Sequence, residues 1–324
     1  MEEIIPKIDR DLILEELTPE RLLRQTNKAN NLIYIVDAHS APNTMREIGR
    51  LREIAFRAAG GGTGLSCDID RFDTMDPPCR QLIVWNPAAM EIVGGYRFIL
   101  GRDIRFEPDG RPRIATSHMF DFSERFLRDY LPTTLELGRS FVATDYQASG
   151  AGQKALYALD NLWDGLGALT VVYPEIEYLF GKVTMYPSFG VEERDHILGF
   201  LRKHFSDADH LVVPRNPLPS RADSDEVMAK FTGSGFREDY KILHNLIRSK
   251  GKNIPPLVNA YMSLSPTMKM FGTAINDEFG NVEETAIFLK ISDIVEEKKQ
   301  RHIMTFNMLD KNKLESSQTS RGGK

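Results

Sequence analysis

Charged residues recur in this chain where apolar residues would ordinarily stand. LREIAFR (Leu51 to Arg57), DIDRFD (Asp68 to Asp73), GGYRF (Gly94 to Phe98) and LELGR (Leu135 to Arg139) bring Asp68, Asp70, Asp73 and Glu136 into the same short settings as Arg52, Arg97 and Arg139. A charge inside an apolar strand is costly unless it is paired, so these groups are expected to converge on one another or on a substrate. Both outcomes fit the spacing. Asp70, Asp73, Arg52 and Arg97 can close into a buried ion-pair network that shapes a loop, or they can face a ligand. Asp68 reads as a loop cap.

A second signal is local. VATDYQASGAGQKAL (Val142 to Leu156) places Gln147-x-x-Gly150-x-Gly152 between a strand and a helix. Glycines let backbone N–H groups turn toward an anion, and a helix N-terminus adds partial positive charge, so a phosphate can sit there. The plain alternative is a strand-to-helix turn that needs small residues. GGGTG (Gly60 to Gly64) lacks the Lys-Ser/Thr pair of a P-loop and reads as a helix stop opening a mobile loop. No nucleophile stands out: there is no Gly-x-Ser-x-Gly elbow, and neither Cys67 nor Cys79 has an obvious histidine partner. The seven histidines show no metal-ligand spacing, and His196 and His204 are placed on a polar helix face. Trp163 falls on an apolar stripe with Leu159, Leu162 and Leu166, as core or as the wall of an apolar tunnel.

The elements that must position these groups follow from periodicity. LTPERLLRQTNKA (Leu17 to Ala29) predicts a helix, with Thr18 as cap and Pro19 at its first position. LIYIV (Leu32 to Val36) predicts a buried strand, and Asn43 or Thr44 then caps a helix through Ala59. QLIVW and EIVGGYRFIL predict a hairpin whose paired glycines imply a bulge or a close backbone approach. TLELGRSFV is a strand on which Leu135, Leu137, Arg139 and Phe141 alternate against Glu136, Gly138 and Ser140. A helix (QKALYALDNLWDGLGALTVV), a strand (YLFGKVTMY) and a helix (GVEERDHILGFLRKHF) come next. Helices from Asp239 and Pro255, a closing hairpin around Asp277 to Asn281 and a last helix, DIVEEKKQRHI, complete the chain. The fold class is α/β: a mixed, mostly antiparallel sheet flanked by helices, with a C-terminal α+β elaboration. Its divisions are an N-terminal helical segment (1–30), a core (31–190), a C-terminal part of the same fold unit (191–305) and a disordered tail (306–324).

With 324 residues and a net charge of −5, the chain has ample core and no general attraction to nucleic acid. Two cysteines suit a reducing compartment. The acidic start, MEEIIPKIDRD, predicts no signal peptide, and no apolar run approaches a bilayer span. A cytoplasmic protein is expected, with peripheral contact at the inner face of the membrane allowed.

Together these motifs resemble the Gcn5-related N-acyltransferase superfamily, whose acyl-donor motif Gln-x-x-Gly-x-Gly matches Gln147, Gly150 and Gly152. The upstream pattern resembles its acyl-carrier-protein-dependent branch. That branch holds the acyl-homoserine-lactone synthases and the haemolysin-like ornithine- and glycine-lipid N-acyltransferases. Arg-x3-Phe matches Arg52 and Phe56; Asp-x-x-Asp matches Asp70 and Asp73; the strand arginine matches Arg97; Glu-x-x-Arg matches Glu136 and Arg139. DIDRFD, LFGKVTMYPSF, PPLVNAY and the late DEF segment look like the Bacteroidetes enzymes that acylate glycine. The similarity runs from about Leu32 to Ser292. The loop tryptophan of the lactone synthases is absent where GGGTG stands, which disfavours a signalling lactone.

The resemblance implies transfer of a long, 3-hydroxylated acyl group from acyl carrier protein to an amino acid's α-amine, glycine first and ornithine second. Acyl-phosphopantetheine is then the donor substrate, acyl-CoA a possible one, with no permanently bound cofactor and no metal. Such a reaction needs a base for an ammonium, a cation for a carboxylate and donors for an oxyanion. Glu136 is the candidate base, with Arg139, Asp70 and Asp73 as its catalytic company. Arg52, Phe56, Arg97 and Asp68 are the candidates for substrate binding, and backbone near Gly94 and Gly95 for the oxyanion. An acidic carrier protein would dock on basic residues such as Lys154, Lys182 and the arginines of Arg102 to Arg113. KVTMYPSF is either a plain strand end or a segment whose Tyr186 and Ser188 face the thioester. The rivals are an acetyl-CoA-dependent N-acetyltransferase and a non-enzymatic, haemolysin-like membrane-active protein.

Overall fold

The computed structural model describes residues 1–147 and 153–306; Gly150, Gly152, the Lys154 side chain and the tail from residue 307 lie outside the described residues. An eight-stranded sheet runs in the order β1 (Leu22–Gln25), β2 (Leu32–Val36), β3 (Arg80–Asn86), β4 (Glu91–Leu100), β6 (Thr134–Val142), β7 (Tyr178–Met185), β10 (Val282–Lys290), β9 (Lys269–Asn276). The short strands β5 (Phe120–Phe122) and β8 (Val212–Pro214) pair separately. Every neighbour in the large sheet is antiparallel except β6 and β7. A parallel pair needs a crossover, and the helix Gln153–Val172 supplies it.

The central strands are covered on both faces, which is why QLIVW reads as a continuous apolar run. On β3, Leu82 and Val84 join a core layer built under the helices Gln153–Val172, Val191–Phe205, Phe236–Ser249 and Pro256–Met262, while Ile83 and Trp85 join a second layer with Met45, Ile48 and Phe56. Phe56 and its companions lie on α2 (Pro42–Ala59), which follows α1 (Arg10–Glu16). A third cluster packs Phe126, Phe180, Phe271 and Phe288 beside the site.

Three local expectations are corrected. Leu17 to Ala29 is not a helix: a single turn at Pro19–Arg21 leads into β1, because Leu22 and Leu23 are both buried and the edge of β2 offers a ladder that outweighs helix propensity. Neither Asn43 nor Thr44 caps α2. Helix α2 begins at Pro42, and the Glu16 carboxylate at the end of α1 accepts the N–H groups of Asn43 (2.9 Å) and Thr44 (2.6 Å). Gly60 does end α2 in the left-handed region (φ 96°), but the following loop is fastened rather than free. Buried Glu53 accepts from the N–H groups of Thr63 (3.1 Å) and Gly64 (2.8 Å) and from the Thr63 hydroxyl (2.8 Å).

Other differences are smaller. His196 is buried and His204 bonds Asp239 at 2.9 Å, so neither lies on a solvated face. The last segment is a short helix, Glu296–Lys298, continued by a π-turn, Lys299–Ile303, rather than one helix. The paired glycines behave as expected: a Cβ on Gly94 would lie 2.5 Å from the Phe141 carbonyl oxygen, and one on Gly95 would lie 2.8 Å from that of Leu82.

Candidate active site

DIDRFD folds as the start of a single-turn helix, α3 (Arg71–Thr74), and its Asp-x-x-Asp spacing is a reciprocal cap. Asp70 accepts the N–H groups of Phe72 (2.8 Å) and Asp73 (3.2 Å), while Asp73 accepts the N–H of Asp70 (3.1 Å). That turn fixes two carboxylates side by side. Arg52, fully buried on α2, meets both oxygens of Asp73 at 3.4 Å and donates to Gln81, whose amide donates to Asp73 at 2.9 Å. Arg97 on β4 donates to both oxygens of Asp70 at 2.7 Å and stands 3.3 Å from Asp73.

The electrostatics follow from this pairing. Burial pushes the Asp70 carboxyl up, but Arg97 and Arg139 outweigh it and hold the group well below the ordinary carboxylate range. Burial likewise works against the Arg97 cation, yet Asp73 and Asp70 keep its pKa well above the usual value. Glu136 has no side-chain hydrogen bond or ion pair among the described residues, and its carboxyl is raised by burial, against the pull of Arg97 and Lys182. Asp68 is also raised by burial, against Arg139. Arg139 Nε lies 3.0 Å from Asp68 but is not aligned for a hydrogen bond, so this contact is charge proximity alone.

Strand β6 departs from the alternation its sequence predicts. Arg97 pairs with Gly138 and Gly95 with Phe141, so Arg139 and Ser140 together oppose Tyr96 alone: a bulge. Arg139 takes φ 48° there. The extra residue turns its guanidinium away from the layer of Leu135 and Leu137 and onto the face of Arg97. It lies 3.4 Å from Asp70 and over the Phe279 ring at 4.5 Å.

The parallel pairing of β6 and β7 covers only Thr134–Glu136 against Tyr178–Phe180. Beyond it the strands part, and a cleft of about 230 Å³ passes between them. Its wall takes Tyr96 and Tyr261 from the layer under the helices and Phe56 and Phe279 from the opposite layer, so the cleft traverses the sheet. Gly138, Arg139, Lys182, Tyr186 and Glu284 line it as well. A smaller cavity of about 40 Å³ adjoins it, lined by Asp70, Phe72, His118, Asn276 and Glu278. Arg139, Lys182 and Phe279 border both.

Of the residues singled out from sequence, Arg139 and Phe56 line the cleft and Asp70 lines the adjoining cavity; Arg52, Asp68, Asp73, Arg97 and Glu136 lie behind them and line neither. Gly94 and Gly95 pair with strands on both sides and line neither cavity, so they do not present N–H groups to a substrate there. Gln147 donates to the Val142 carbonyl, and Ser188 is exposed away from the cleft. Lys182 is not a docking residue at the surface: its side chain is 10% exposed and it pairs with Glu284 at 2.9 Å. Sequence reasoning missed Glu284, Asn276 and His118. Glu284 carried a usable signal, since VEETAIFL sets acid in an apolar strand as LELGR does.

Among the described residues no group of His, Cys, Asp and Glu is arranged to hold a metal, and no helix is long and apolar enough to cross a membrane.

Residues 51–156 match the acetyltransferase (GNAT) domain. Two solved structures show low similarity: the acyl-homoserine-lactone synthase LasI (15% identity, 48% of this chain and 72% of that one, TM-score 0.33) and the CoA-dependent acyl-homoserine-lactone synthase BjaI (14%, 51% and 72%, TM-score 0.28). Two relatives are far nearer in sequence. The glycine N(alpha)-acyltransferase of Bacteroides thetaiotaomicron is 62% identical over 94% of this chain and 91% of its own length. That of Phocaeicola vulgatus is 57% identical over 94% of each. The chain is an acyltransferase with a GNAT-type sheet, and it belongs to the glycine N(alpha)-acyltransferase family.

Proposed function

We propose that the protein transfers a long, 3-hydroxylated fatty acyl group from the phosphopantetheine of acyl carrier protein to the α-amine of glycine. The observation that carries this reading is the cleft through the sheet, with an apolar arm on one side and a small polar cavity on the other, joined where Arg139 and Lys182 border both. An acyl chain suits the arm walled by Tyr96, Leu257 and Tyr261. A zwitterion without a side chain suits the 40 Å³ cavity better than ornithine does, in keeping with the names of the two relatives.

The acceptor's carboxylate is assigned to Arg139 and Lys182, the cations bordering both cavities. Arg52, Arg97, Asp70 and Asp73 are assigned to holding the floor. Glu136, behind Lys182 and Arg97, is assigned to balancing their charge, and Gln147, Gly150 and Gly152 to the donor's pantetheine arm. Tyr186, half-buried with its hydroxyl pushed up to about 12 by burial and by the Glu284 charge, is a neutral donor available to the departing sulfur. For the acidic carrier, Arg102, Arg105, Arg111 and Arg113 are offered at the surface, with side chains 41–59% exposed.

The test offers purified protein 3-hydroxyacyl carrier protein, the unsubstituted acyl carrier protein, long-chain acyl-CoA and acetyl-CoA, each with glycine or ornithine, and reads products by mass spectrometry. N-acylglycine from the hydroxylated carrier donor supports the reading. Acetylglycine as the main product favours the acetyltransferase alternative. Vesicle leakage without any acylated product would favour the membrane-active one.

A further inference from the structure

We propose that Glu284 is the carboxylate that takes the proton from the acceptor's ammonium, with Lys182 as its positioning partner; this rests on the acyl-transfer reading above. Three carboxylates border the two cavities: Asp70, Glu278 and Glu284. Asp70 is a poor proton acceptor, because both its oxygens receive Arg97 at 2.7 Å and its carboxyl is held far down. Glu278 stands at the rim with its side chain 76% exposed, where water competes for any proton it takes. Glu284 differs from both. It is 2% exposed, sits mid-strand on β10 opposite Thr184 of β7, and lines the cleft beside Lys182.

Its hydrogen bonds leave one side open. Oε1 accepts from Lys182 Nζ (2.9 Å) and Asn276 Nδ2 (3.2 Å), whereas Oε2 receives only the Thr184 hydroxyl at 3.3 Å. An ionised carboxylate offers about four acceptor sites, so Oε2 keeps capacity for a further donor. Lys182 and Asn276 hold the carboxylate from one end and the Thr184 contact steadies the other. Asn276 Oδ1 in turn faces His118 Nε2 at 3.3 Å, which ties this carboxylate to the wall of the small cavity.

The step balances with these parts. The glycine ammonium gives one proton to Glu284, and the freed lone pair forms a C–N bond at the thioester carbonyl carbon. Collapse of the tetrahedral adduct breaks the C–S bond. The second proton from nitrogen accompanies the departing sulfur, which leaves as thiol, and Glu284 returns its own proton to water. No covalent enzyme intermediate or further reactant is required.

A nucleophile that needs no deprotonation separates this role from a structural one. Aminooxyacetate carries the same carboxylate as glycine but presents an amine already neutral at pH 7. Glu284→Gln is expected to lose ~100-fold in kcat/KM with glycine while staying within ~3-fold of wild type with aminooxyacetate. Glu284→Asp, which retains the charge, is expected to fall between them, and it serves as the assay variant if the glutamine form does not fold. Lys182→Met should combine a loss common to both nucleophiles, from the carboxylate it also binds, with a smaller further loss seen with glycine alone. Equal losses with both nucleophiles, or no loss with glycine, would overturn the assignment, as would a nucleophile-dependent loss in Glu136→Gln with Glu284→Gln unaffected. Wild-type protein that acylates neither nucleophile from any donor would instead sink the acyl-transfer reading itself, and this assignment with it.

Discussion

Two groups of buried charge lie side by side in this molecule, and they are built differently. Around Asp73 the carboxylate is enclosed by Arg52, Gln81, Arg97 and the Asp70 amide, and none of Arg52, Asp73 and Arg97 borders a cavity; Arg52 Nε alone of these donors has no partner among the described residues. Around Glu284 the bonds are fewer, the residue itself lines the cleft, and one of its carboxylate oxygens receives a single hydroxyl. Closed networks fix architecture, because every member is spent on another member. Open ones keep donors and acceptors in reserve for a ligand. Burial alone does not mark a catalytic group; unspent hydrogen-bond capacity beside a cavity is the better guide.

Substitutions that break the closed side should be felt first as instability. Arg97→Met leaves Asp70 and Asp73 without their shared cation and is expected to cost about 3–5 kcal/mol in urea unfolding, since removing one partner strands a buried charge. Gly94→Ala should follow at about 1–3 kcal/mol, because its Cβ would meet the Phe141 carbonyl oxygen at 2.5 Å and force β4 from β6. A stability loss in Glu284→Gln as large as that of Arg97→Met would blur the contrast.

Acid sharpens the same comparison through opposite signs. Asp70 has a folded pKa below its unfolded value, so its contribution is present at neutral pH and is lost as pH falls below about 4. Glu136 has a folded pKa above its unfolded value, so its buried charge costs stability once pH rises past about 4.3, and protonation relieves that cost. Asp70→Asn should therefore flatten the acid limb of a stability–pH curve, while Glu136→Gln should leave the protein as stable or more so at pH 7. Thermal melts across pH 3–8 decide both. A Glu136→Gln protein strongly destabilised at pH 7 would place Glu136 with the closed network instead.

On the open side, Arg139→Lys keeps a cation but loses the planar fork, and is expected to raise KM for glycine about tenfold with kcat less affected. Steady-state kinetics checks this; an unchanged KM would remove Arg139 from carboxylate binding. The smallest effect belongs to the surface. Arg111→Ser should change unfolding free energy by less than about 0.5 kcal/mol, as its partner Asp109 is exposed.

Much of this was legible in the chain. The hairpin at Gln81 to Leu100, the helix from Gln153 and the closing hairpin all follow from periodicity, and the charges of Arg52, Asp70, Asp73 and Arg97 marked them for pairing or for a ligand, of which the structure shows the pairing. What stayed hidden depends on register and on distant pairing. Nothing near Glu284 in sequence indicates that Thr184, a hundred residues earlier, will face it. The Leu17 to Ala29 stretch has helical propensity, and four of its residues, Leu22–Gln25, pair as a strand because β2 is there to receive them. Glu136 drew attention for being acidic in a strand, a criterion that cannot tell a cavity wall from the layer behind it.

The bulge at Arg139 bears on how this protein can be altered. A strand keeps time in twos, and β6 slips by one beat between Gly138 and Phe141. Leu135 and Leu137 before the slip join the layer under the helices, whereas Phe141 after it joins the opposite layer. Deleting a single residue at 139 or 140 would keep Gly138 opposite Arg97 and Phe141 opposite Gly95 and leave one residue across from Tyr96 instead of two, so both flanks hold their sides and only the offset that carries the Arg139 guanidinium is lost. The extra residue supplies a position for Arg139, not a phase for the strand, and any graft of the strand into another scaffold that needs this cation must carry it along.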